Sequence, residues 1–127
     1  RGKEPAPARL RRWMDALMAA KRRRARDEGE LFATYGILAA DARAVAKAHV
    51  DALVDQIARI IAEGMKSGAF TVKDAGRAAR SVFDATQRFH NPAHAAEWSD
   101  PGIDAAFEGV WSLLNAALTA PAVKARK

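Results

Sequence analysis

The sequence predicts an all-α domain, and three observations carry that prediction. Apolar residues recur at helical spacing along most of the chain. Alanine supplies much of the hydrophobic half, while β-branched and aromatic strand formers are sparse. Pro, Gly and Asp fall where helices would start and stop. With 127 residues, 50% hydrophobic and 28% charged, the chain suits one soluble domain, 1–127, around a single core. No internal repeat and no strand-like alternation is present.

Pro5 and Pro7 predict an irregular lead-in. A first helix is expected from Arg9, with Leu10, Trp13, Met14, Leu17 and Met18 on one face, Arg and Lys opposite, and Gly29 as its end. Residues 1–29 read as a basic linker helix. Glu30 to Met65 reads as one long helical stretch, interrupted near Gly36 to Asp41. Beyond Asp41, Ala46, Val50, Leu53, Val54, Ile57, Ile60, Ile61 and Gly64 form a wide apolar face, with Asp51, Asp55, Arg59 and Glu63 on the other side. About 25 helical residues would span roughly 37 Å. Ser67-Gly68 supplies the stop.

Thr71 and Asp74 compete as the next N-cap, and Thr71-x-x-Asp74 is a variant capping box. The helix behind them is expected to run to about Phe89, with Ala79, Val82 and Phe83 inward. Pro92 excludes Asn91 from helix. A short segment, Ala93 to Trp98, leads to Asp100 as N-cap and Pro101 at the first helical position. The last helix, to about Thr119, has two apolar sides. Ile103, Phe107, Val110, Leu114 and Leu118 make the large-residue face. Beside it runs a small-residue row, Gly102, Ala106, Gly109 and Ala116, interrupted by Leu113. A surface helix needs one apolar stripe; the second predicts a further packing partner. Residues 120–127 are expected to fray.

Composition narrows the function classes. No apolar run approaches the roughly 20 residues of a membrane span, and no secretory signal pattern is present. Zero cysteines exclude disulfides and thiol chemistry and fit a cytoplasmic setting. The chain opens on Arg1 rather than Met, as expected of a piece of a longer protein. The net charge of +6 is uneven: residues 1–26 carry ten Lys/Arg against two acids, a net +8, which leaves −2 for the rest. General nucleic-acid affinity of the whole domain therefore has little support. Four consecutive cations, Lys21 to Arg24, spread around a helix axis, and a solvated helix end accounts for them. No aromatics interleave with them, as single-strand binding would require.

No Gly-rich phosphate loop, nucleophile elbow or His-Glu-x-x-His pattern occurs, so the chain reads as a non-enzyme without cofactor. His90, His94 and Glu97 have metal-ligand spacing on a continuous helix, but Pro92 interrupts it. Bonds to backbone groups freed by the chain break account for both histidines, and no metal is expected. Thr86 and Gln56 are polar groups within or beside apolar faces, and each needs a partner; the backbone of its own helix suffices for Thr86.

The stretch Ile57 to Phe70, Ile-Ala-Arg-Ile-Ile-Ala-Glu-Gly-Met-Lys-Ser-Gly-Ala-Phe, resembles the C-terminal domain of TetR-family regulators. There, a long helix ends at such a Gly, a second Gly follows four residues later, and an aromatic opens the next loop. The likeness continues through Val72-x-Asp74, Ala78-Ala79, Phe89-His90-x-Pro92 and Gly109-Val110-Trp111-x-Leu113-Leu114. It covers roughly residues 30–119, and the basic first helix resembles the segment leading to the family's DNA-reading half.

The resemblance implies a bundle of five to six helices that dimerises and binds a small effector. It implies operator binding only through a helix-turn-helix domain missing from this chain. Tyr35, His49, Gln56, Thr86 and His90 would supply the polar contacts of a mostly apolar pocket, and Phe32, Leu53, Phe83, Trp98 and Phe107 its walls. Such a pocket suits an apolar or amphipathic compound. The dimer would be an antiparallel four-helix packing of the helix after Asp74 and the last helix, with Arg80, Asp84, Gln87, Arg88, Gly109, Trp111, Ser112 and Ala116 at the interface. The alternative is a small nucleic-acid-binding module acting through the basic first helix.

Overall fold

A computed structural model describes residues 4–27 and 40–121, which contain helices and no strand. The elements are α1 (Ala6–Asp27), α2 (Ala40–Ser67), α3 (Ala75–Ala85), α4 (Gln87–His90), a 3₁₀ turn (Pro92–Glu97) and α5 (Ile103–Thr119). Helix α2 packs most extensively on α3, and α1 lies against α2, α4 and the 3₁₀ turn. The core joins Leu10 and Met14 of α1, Ile57 and Ile61 of α2, Val82 and Phe83 of α3, Phe89 of α4, and Phe107 of α5. Each such side chain stabilises the fold by about 1.5–3 kcal/mol through burial.

Helix α1 begins at Ala6, three residues before the expected start. Pro7 sits in its first turn, where the missing N–H has no intrahelical partner to lose. The helix contributes to the core. Leu10, Met14, Leu17 and Met18 are buried, and Arg9 pairs with Glu63 of α2. Its predicted end at Gly29 and the predicted break near Gly36 lie outside the described residues.

Helix α2, about 42 Å long, outruns α3, about 16 Å long. This length mismatch explains why its apolar stripe is unevenly covered. Ile57, Ile61 and Gly64 are buried and Val50 and Leu53 half-buried, but Ala46, predicted inward, is exposed, and Val45 is 70% exposed. Gly68 ends the helix in the left-handed region (φ 83°), and the Phe70 N–H returns to the Gly64 carbonyl at 3.0 Å. That turn lays the Phe70 ring on Gly64, where any Cβ would overlap the ring and come within 2.9 Å of the Ala6 methyl.

Asp74 is the N-cap of α3, accepting from the Arg77 N–H at 3.0 Å. Thr71 has another task. Its N–H donates to the Leu118 carbonyl at 2.9 Å and its hydroxyl to that of Ala120, which ties the α2–α3 loop to the end of α5. The predicted helix to Phe89 breaks at Thr86, whose hydroxyl back-bonds to the Val82 carbonyl at 2.8 Å and so competes with helix continuation. Asn91 is extended, as Pro92 requires, and its side chain caps the 3₁₀ turn through the Ala93 N–H. Helix α5 starts at Ile103, two residues late. Asp100-Pro101-Gly102 forms a turn instead, closed by the Ile103 N–H on the Asp100 carbonyl at 3.2 Å.

Candidate functional site

Four polar side chains converge where the second half of α1 meets α2 and α4. Thr86 and His90, one helical turn apart, are 0% and 2% exposed. The Thr86 hydroxyl lies 2.8 Å from the Val82 carbonyl and 2.9 Å from Nε2 of His90, hydrogen-bonded to both. Phe83 lies against the imidazole with ring centroids 4.8 Å apart. Burial, followed by the positive charge of Lys21, pushes His90 down to about 4, partly offset by the Phe83 carbonyl. His90 is therefore neutral near pH 7.

Lys21 faces this pair from α1, and its Nζ lies 2.8 Å from Nε2 of His49 on α2. Burial and then repulsion from Arg24 hold the Lys21 ammonium below its usual range. His49 is lowered by burial, then by Lys21 and Arg24. The sequence reading placed Lys21 in a solvated charge run and missed it. The signal was present: Leu10, Met14, Leu17 and Lys21 follow one another at three- and four-residue steps, so Lys21 continues the buried stripe.

The structure thus brings together Phe83, Thr86 and His90, with His49 nearby. Of the other predicted pocket residues that are described, it gathers none there. Gln56 is exposed and its Oε1 accepts from Nε1 of Trp13 at 2.8 Å. Trp98 is buried apart from the main core, its Nε1 donating to the Arg88 carbonyl at 2.9 Å. Phe107 is packed edge-on against Phe89 and stacked with Trp111. Leu53 is half-buried in the core margin. Phe32 and Tyr35 lie outside the described residues. His94 binds Glu97 through Nδ1 at 2.8 Å, and no metal-ligand cluster occurs among the described residues.

A trough of about 600 Å³ runs between α1 and α5, and among the described residues Phe107 is the one predicted pocket residue along it. Charged pairs already span it. Arg11 chelates Glu108 and reaches Asp15 at 3.0 Å, its guanidinium 5.0 Å from the Phe107 ring centre, and Arg22 lies 3.5 Å from Asp104. These bridges make the trough a strut between helices rather than an apolar ligand cavity.

Helix α5 has no charged residue after Glu108, although much of that stretch faces solvent. Gly109, Ser112, Ala116 and Ala117 are exposed, and Leu113 is 75% exposed. Of the predicted interface residues, Arg80, Asp84 and Arg88 are exposed on α3 and α4, and Gln87 is half-buried, accepting from the Asn91 side chain. Arg80 pairs with Asp84 at 3.1 Å and Arg88 with Glu97 at 2.8 Å. Trp111 points the other way, into the core.

The sequence matches the family described as tetracyclin repressor-like, C-terminal domain, over residues 6–111. The chain belongs to that family. The match starts at the first residue of α1, which agrees with the packing of α1 as part of the domain. No curated protein and no solved structure matches the chain significantly. None of the described helices is long and apolar enough to cross a membrane.

Proposed function

We propose that this domain is the effector-sensing, homodimerising part of a TetR-like transcription regulator and carries out no chemistry of its own. Family membership supports the regulatory role. The observation that carries the reading is the uncharged outer face of α5, where Gly109, Leu113 and Ala116 are exposed in a single chain. Small residues let a second backbone approach closely, and Leu113 is left 75% exposed for another chain to cover. The charged pairs Arg80–Asp84 and Arg88–Glu97 suit the polar rim of such an interface.

Effector binding centres on Phe83, Thr86 and His90, with His49 contributed by α2. A buried, neutral imidazole beside an aromatic ring provides the few oriented polar groups that small-molecule sites use. The ligand switches the regulator by preferring one arrangement of the dimer over the other; equal affinity for both would change nothing. Operator DNA is contacted through a DNA-binding domain outside these residues, in a cytoplasmic setting.

Sedimentation velocity tests the dimer. The wild-type chain should sediment as a dimer, and Leu113→Glu as a monomer of unchanged helical content, because it would place an uncompensated charge in the interface. A monomeric wild type, or a Leu113→Glu dimer of wild-type affinity, would overturn the proposal.

A further inference from the structure

Lys21 occupies an unusual position for a lysine in a basic run. It continues the stripe of Leu10, Met14 and Leu17, which are all buried, and the residue is half-buried where α1 meets α2. Its hydrogen-bond partner there is the imidazole of His49, a neutral acceptor at 2.8 Å that uses one of three ammonium protons. Among the described residues, no carboxylate lies within ion-pair distance of Lys21. The charges acting on it come from a cation, Arg24. Elsewhere α1 follows the opposite rule: Arg9, Arg11, Arg12 and Arg22 each meet an acid. A charge withdrawn from water is ordinarily paired, and here the described protein supplies no counter-charge.

The neighbouring groups reinforce that asymmetry. His90 is neutral and, through Nε2, already committed to Thr86, so it offers no negative charge. With His49 accepting at Nε2, its other ring nitrogen carries a proton and becomes a donor. The junction therefore presents two further ammonium protons of Lys21, with the positive charge of Arg24 acting on the same place. One helical turn away on either side, Leu17 of α1 belongs to the apolar core and Leu53 of α2 to its half-buried margin, and Phe83 covers the imidazole of His90. An anionic oxygen head on an apolar body matches this set.

We infer that the effector of this domain is an amphipathic carboxylate whose head group is bound by Lys21. The inference rests on the effector-sensing reading above and adds the ligand's charge and the residue that selects it. Affinity then depends on one charge-assisted contact made in a partly desolvated place, the setting in which such contacts are strongest.

Octanoate, 1-octanol and octylamine share one apolar chain and differ in head group. Calorimetric titration of each into the full chain should give octanoate about tenfold or more tighter binding than 1-octanol, with octylamine weakest. Lys21→Met keeps the length of the apolar stem and removes the charge. It should abolish the octanoate preference, leave 1-octanol binding unchanged, and retain helical content. Lys21→Arg should recover much of the preference. Equal binding of octanoate and 1-octanol to the wild type, or a preference that survives Lys21→Met, would refute carboxylate recognition and leave small-molecule sensing standing. Binding of none of the three would overturn the sensing reading as well.

Discussion

Replacing His90 by Gln should flatten the acid side of the stability profile. His90 is buried, neutral and bonded to Thr86, with its folded value lowered from 6.5 to about 4. The unfolded chain therefore binds more protons between those two values. The stability tied to neutral His90 is fully present above 6.5 and is lost as pH falls towards 4. Integrated from about pH 7.5 to about pH 5, this amounts to about 2 kcal/mol. In urea, with a slope of 1–3 kcal/mol/M, the midpoint would fall by roughly 1 M. Gln keeps a side-chain donor for Thr86 and does not titrate in this range. Urea unfolding of wild type and His90→Gln at both pH values, at one protein concentration because a dimer's stability depends on it, isolates the contribution. Wild type should lose about 2 kcal/mol more than the variant on acidification. Equal losses would show that His90 is not held neutral by its surroundings.

The Gly64–Phe70 contact makes a second prediction. Gly64→Ala should destabilise the domain by about 1–3 kcal/mol in the same assay, because the new methyl overlaps the Phe70 ring and crowds Ala6. Phe70→Leu should be less harmful in the Gly64→Ala background than alone, since the smaller side chain vacates part of the contested space; additive effects would contradict the packing described.

The helical class was legible because periodicity and caps act locally. Asp74 and Pro92 work as their chemistry dictates, and the apolar stripes of α1 and α5 are buried where the 3.6-residue period puts them. Family membership was legible for a related reason. The Gly64-Gly68-Phe70 pattern is imposed by a close approach and a left-handed turn that few other residues permit. What escaped was set by tertiary partners. Thr71 looked like a cap until the end of α5 offered it carbonyls, and Thr86 broke a helix that propensity alone would continue. The polar and aromatic residues of the predicted pocket lie on separate helical faces, and which helix ends meet is not set by local pattern. Trp98 and Gln56 accordingly dropped out to local bonds, and Lys21 came in from a run that charge alone marked as solvated.

The chain has no cysteine, so a single introduced one reports on its own position. Leu113→Cys and Ala116→Cys place a thiol on the outer face of α5, and Ala52→Cys places one on the exposed side of α2. Under mild oxidation the two α5 variants should become covalent dimers, seen as a doubling of the 13.7 kDa chain on a non-reducing gel, while Ala52→Cys stays monomeric on that gel. Cross-linking at position 52 with none at 113 or 116 would contradict the account of how this domain assembles.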